Sequence, residues 1–221
     1  MFIGHFGSAF GAKTIAPEVS LGTLFLAAQF PDLLWSTLLL LGVERVRISP
    51  DGAFVTPLVF EHYPVSHSLL AAMGWALAVA LVYLALRRYR RGAALLGLLV
   101  ISHWLLDAIV HRPDLPLFPG SSTLVGLGLW SSLPASMVVE ASLFALGVWF
   151  YVRTTRPIDS AGKWSLWALV LFLSAIFAGN FSGTPPPSTQ AVAWVGELHW
   201  LLVLWGYWID NHRCGTQKGT A

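Results

Sequence analysis

Apolar residues run in long stretches along this chain, and the polar ones collect between them. The stretches cover about His67–Tyr83, Ala93–Val110, Leu129–Tyr151, Trp164–Gly179 and Ala191–Trp208. As helices rising about 1.5 Å per residue they approach the roughly 30 Å of a bilayer's hydrocarbon core, so five transmembrane helices are predicted. An earlier stretch, Val19–Leu41, is also long enough, but Phe30-Pro31-Asp32 interrupts it. Proline breaks the backbone hydrogen-bond ladder, and a carboxylate at membrane depth is unfavourable unless it is paired or faces a cavity. The interruption predicts two half-helices meeting at Asp32, with a single kinked span as the alternative. Ahead of it, Gly4, Gly7 and Gly11 form a small-residue stripe at helical spacing, suited to close approach of another helix, with His5 beside it. The pattern is that of an all-α integral membrane protein: about five spans plus an N-terminal half-helix or re-entrant segment. No repeat or linker divides it, so residues 1–221 are expected to form one polytopic domain.

Composition agrees with the pattern. Of the 221 residues 56% are hydrophobic and 11% charged, eleven are Trp, and the mean hydropathy is +0.67. Soluble domains carry about 25% charged residues. The single cysteine, Cys214, excludes an intramolecular disulfide framework and a cysteine-based zinc cluster. No basic segment precedes the first apolar run, so no cleavable signal peptide is expected. A net charge of +2 without a basic patch interleaved by aromatics gives no indication of nucleic acid. The polar stretch Glu44–Tyr63 carries a turn signal at Pro50-Asp51-Gly52, and Ser66, close to Pro64, is expected to start a helix.

Charge sets the expected orientation. Nine of the thirteen Lys and Arg fall at 87–91, at 153–163 and in the C-terminal tail, all on one side under the five-span topology. The positive-inside rule makes that side cytoplasmic and puts the C-terminus inside. The loops 44–65, 111–124 and 180–190 then lie on the other side. This arrangement gathers His62, His67, His103, Asp107, His111, Glu197 and His199 at one depth. A simple crossing by 19–41 would leave His5 on the cytoplasmic side, whereas a re-entrant segment would let His5 and Asp32 face the others.

The gathered residue types have a common chemistry. His103 and Asp107 are four apart and share a helical face, which His111 extends. Imidazole and carboxylate at one point are ligands for zinc or another divalent ion, one or two of them, and further His and acidic groups would orient the ligands. His67, His103 and Asp107 are the expected core ligands, with His62, Asp32 and His5 as additions. Glu197, His199 and His111 are the candidate general bases or acids. Arg112 either binds an anionic group of a substrate or anchors at the lipid headgroups. Glu140, in mid-span, either serves the site or hydrogen-bonds a neighbouring helix.

His62-x4-His67-Ser-Leu-Leu, Ser102-His103-x3-Asp107 and the Pro116-Leu-x-Pro119 tail, with Gly4-His5 and Phe30-Pro31-Asp32 before them, resemble a bacterial integral-membrane family described as predicted membrane-bound metal-dependent hydrolases. The resemblance covers about residues 1–120, leaving 121–221 as additional helices and tail. Tyr63 stands where that family usually has Arg, Ser66 where it has Thr, and Leu34 and Trp35 where an acidic residue and a histidine often follow the first Asp. The resemblance implies metal dependence, hydrolysis and a bacterial inner membrane. The expected function is hydrolysis of an ester or phosphoester, most simply of a membrane lipid or lipid-like substrate, at the extracytoplasmic side. The alternatives are an ion- or proton-coupled transporter, and a structural protein whose polar residues lock helices.

Overall fold

The computed structural model describes residues 1–49, 55–181 and 184–216. Its frame is helical. Helices α1 (Ile3–Ala12), α2 (Leu21–Ala28) and α3 (Phe30–Leu40) lead to a hairpin of β1 (Arg45–Ile48) and β2 (Leu58–His62). One turn, α4 (Pro64–His67), then opens α5 (Leu69–Arg87), which is followed by α6 (Arg90–Val110). The strands β3 (Leu115–Pro116) and β4 (Leu124–Val125) and a 3-10 turn at Leu129–Ser131 precede α7 (Leu133–Thr154). The chain ends with β5 (Thr155–Pro157), α8 (Ser160–Gly179), α9 (Thr189–Glu197), α10 (His199–Asn211) and β6 (Arg213–Gly215). Helices α5, α6, α7, α8 and the α9–α10 pair are long and apolar enough to cross a membrane, as the sequence predicts. The expected turn at Pro50-Asp51-Gly52 lies outside the described residues.

Local signals place the helix ends. Ser68, rather than Ser66, caps α5 by accepting from Ala71 N–H at 3.2 Å, and Asp159 caps α8 by accepting from Gly162 N–H at 2.8 Å. Pro64 and Pro31 stand in the first turns of α4 and α3, where a missing N–H leaves no bond unmade. Along α5 the large side chains Leu70, Met73, Leu77 and Leu81 are exposed, the pattern of a lipid-facing helix. By contrast α6 is central, burying Leu96, Val100, His103, Trp104 and Asp107.

The first three helices settle the open question about the N-terminal third. α2 and α3 are bent by 58° at Gln29, three residues before Asp32. The start of α2 lies at Asp210, which accepts from Leu21 N–H, and the chain beyond α3 reaches Ser66 through Glu44. The bent pair therefore runs from one end of the molecule to the other, and α1 is the half-helix. The short α1 lies along α7, where a Cβ on Gly7 would come within 2.5 Å of Leu143 O and one on Gly147 within 2.0 Å of Gly7 O. Glycine at both positions lets the two backbones touch. His5 is carried to the depth of Asp107 instead of remaining on the basic side, which corrects the placement expected for a simple 19–41 crossing.

Two polar ends result. At one, β5 pairs antiparallel with β6, and the buried Arg213 donates to Thr155 Oγ1 at 3.0 Å and Gly162 O at 2.8 Å. Beside it Lys13 is ion-paired with Asp210, which also accepts from Tyr151 O–H at 2.9 Å. This is the end with Arg87–Arg91 and the 153–163 turn, so the basic segments do share one side. At the other, β1 pairs with β2, β3 with β4, and Val55 N–H donates to Trp130 O at 3.2 Å. Strand pairs in these loops were not expected from the sequence.

Candidate metal centre

Five of the predicted ligands come together at the second end, from four elements. Two overlapping groups offer ligand atoms within 4.8 Å of one another: His5, His103 and Asp107, and Asp32, His67 and His103. His103 Nε2 lies 3.2 Å from Asp107 Oδ2 and 3.6 Å from Asp32 Oδ1. His67 Nε2 lies 3.5 Å from Asp32 Oδ1 and 3.7 Å from Asp107 Oδ2. His5 Nε2 lies 3.1 Å from Asp107 Oδ1, and its ring stacks on that of His103 at 3.7 Å. The same Asp107 oxygen meets the amino group of Met1.

Two of the three imidazoles are aimed from behind. The bend at Gln29 leaves Ala28 O free of its helix, and His103 Nδ1–H donates to it at 2.7 Å. His103 Nε2 then points into the cluster, buried and without a hydrogen-bond partner. His67 Nδ1 meets Ser66 Oγ at 2.7 Å, and Ser66 in turn donates to Glu44. Glu44, fully inside, also accepts from Val65 and Ser66 N–H at 2.8 and 2.9 Å, tying α4 down. A buried imidazole nitrogen with no partner is unfavourable by itself and is the form a metal ligand takes. Three imidazoles and two carboxylates suit zinc or a similar divalent ion. The residues present therefore fit such an ion.

Above the cluster opens a cavity of about 810 Å³, whose lining includes Asp32, His67, Asp107, Glu140 and His111. His111 follows the last turn of α6, and its Nδ1 meets Asp114 Oδ1 at 2.9 Å. Tyr63 O–H donates to the same oxygen at 2.9 Å. Burial holds the His111 imidazole below its ordinary value of 6.5, so the neutral ring donates to Asp114 and leaves Nε2 as an acceptor. Burial also raises the Tyr63 phenol, with the Asp114 carboxylate adding to it. Glu140 is buried on α7 and accepts from Phe2 N–H at 2.7 Å, capping α1 from the neighbouring helix.

Other expected site residues stand apart from this cluster. His62 is exposed at the end of β2, opposite Arg45. Glu197 accepts from Thr37 O–H at 2.7 Å and ties α9 to α3. His199 donates through Nδ1 to Gly196 O at 2.7 Å, and its ring lies against Phe6 at 6.1 Å. Neither lines the cavity. Charge topology places both near the right depth, but helix rotation turns them to other neighbours. Arg112 donates to Leu58 O at 3.2 Å and lies 3.6 Å from Asp114 Oδ2, bracing the hairpin. Glu44 and Asp114 were missed by sequence reasoning. The signal for Asp114 was its spacing of three from His111; Glu44 carried none, since its partners are twenty-one and twenty-two residues away.

A family model describing the YdjM inner membrane protein matches residues 2–184, and the chain belongs to that family. No curated protein and no solved structure matches the chain.

Proposed function

We propose, with membership of an inner-membrane family as the premise, that this protein is a metal-dependent hydrolase of an ester or phosphoester of a lipid-like molecule. The observation that carries the reading is the convergence of His67, His103, Asp107, Asp32 and His5, with His103 Nε2 buried beside both carboxylates and hydrogen-bonded to neither. One or two divalent ions, zinc first, would supply the polarisation of the ester oxygen and the acidification of water. The chain supplies the rest. Ala28 O holds the His103 imidazole and the Ser66–Glu44 pair holds that of His67, so little reorganisation of these two is needed on binding. Trp35, Leu58, Phe60 and Trp130 give the cavity apolar walls. His111, held by Asp114, is placed to carry a proton at Nε2. The basic end faces the cytoplasm and the site faces outward, among the headgroups of membrane lipids.

Elemental analysis of detergent-purified protein tests this reading. Wild type is expected to hold a near-stoichiometric divalent metal and His103→Ala to lose it while still accumulating in the membrane. A wild type that takes up neither zinc nor manganese after reconstitution overturns it.

A further inference from the structure

The cavity walls say which ester. Its apolar lining, with Trp35, Leu58, Phe60, Trp130, Val192 and Val195, surrounds a floor carrying Asp32, Asp107 and Glu140. No Lys or Arg side chain lines it among the described residues. Arg112 borders a separate small hollow and directs its guanidinium to Leu58 O and Asp114. The amino group of Met1 is engaged by Asp107. A single divalent ion together with the Met1 amino group balances Asp32, Asp107 and Glu140, leaving no net positive charge in the cavity.

A phosphate monoester would bring about two negative charges into this apolar-walled space beside a carboxylate, with no lysine or arginine side chain to receive them and the Met1 amino group already paired with Asp107. An uncharged ester head meets no such penalty, and its hydroxyls find acceptors in the carboxylates. The volume lies within the roughly 300–1,000 Å³ usual for small-molecule sites, which suits one apolar chain.

Resting on the hydrolase reading, we propose that the substrate class is a single-chain carboxylic ester with an uncharged head, of the monoacylglycerol type, and not a phosphate monoester. In its hydrolysis the oxygen of water joins the acyl carbon and the bond from that carbon to the alkoxy oxygen breaks. One water proton passes to the alkoxy oxygen and the other to solvent, leaving an alcohol and a carboxylate.

Binding tests this without turnover. Two amphiphiles with the same brominated chain, a monoacylglycerol and a lysophosphatidate, are titrated into the purified protein in neutral detergent, with and without zinc. Quenching of Trp35 and Trp130 reports occupancy, and the Trp35→Phe/Trp130→Phe double variant subtracts the other tryptophans. The monoacylglycerol is expected to half-saturate at a concentration about tenfold lower or less, a difference of about 1.4 kcal/mol. Val195→Arg, at an exposed position on the cavity wall, is expected to narrow that gap. Equal or tighter binding of the lysophosphatidate, or quenching that persists in the double variant, overturns the proposal. A preference for the neutral amphiphile with no hydrolysis of any ester would defeat the hydrolase reading and leave the neutral amphiphile as the bound class. Hydrolysis of the phosphoester with tight binding would do the reverse.

Discussion

His67 and His103 reach the same point by different local means, and each means is open to test. His67 is held through a hydroxyl to a buried carboxylate, so Ser66→Ala and Glu44→Gln free its ring without removing a ligand. Both are expected to weaken zinc affinity about 10- to 100-fold, read by chelator competition, while stoichiometry at saturation is unchanged. At the basic end Asp159 caps α8 and meets His212 Nδ1 at 2.7 Å. The Gly162 N–H first, then His212, hold its carboxyl below the ordinary 3.8. A depressed carboxyl contributes stability above its unfolded value and loses it as pH falls through the folded one. Asp159→Ala should therefore lower the thermal midpoint at about pH 7, and the difference from wild type should vanish by about pH 2.

Helix contacts decide where the proposed ligands sit. His5 depends on the close approach of α1 to α7, and His103 on the carbonyl released where α2 bends away from α3. Gly147→Leu must push α1 outward, because its first side-chain carbon already collides with Gly7 O. The expected result is a loss of about 1–3 kcal/mol in stability together with weakened metal binding. Gly74→Leu is the control: nothing lies within 4 Å of its Cβ position on α5, so the thermal midpoint and metal content should stay as in wild type. Equal behaviour of the two variants would show that the α1–α7 contact does not position His5.

Across the whole molecule the two polar ends do different work. His5 on α1 and Lys13 just after it are separated by the buried Phe6, Ala9 and Phe10. The Lys13–Asp210–Tyr151 group is satisfied by its own members, which makes it a lock between helices rather than a continuation of the site. The exposed Cys214 sits on the basic end and offers a direct test of orientation. It should react with a membrane-impermeant maleimide only after the inner membrane is opened. In a Cys214→Ser background, Phe118→Cys on the opposite end should react in intact spheroplasts.

Sequence alone determined the membrane class, the five long helices, the shared side of the basic segments and the His103–Asp107 pairing. Each follows from length, hydropathy or helical period, which are properties of a segment considered by itself. That His5 meets the cluster while His62 lies apart from it, and that Glu197 and His199 make helix contacts, came only with tertiary structure. So did the roles of Glu44, Asp114 and Ala28 O. Hydropathy places a residue at a depth but leaves helix rotation undetermined, and a carbonyl freed by a bend has no signature in residue identity. The packing of α1 against α7 and the 58° bend at Gln29 supplied that rotation.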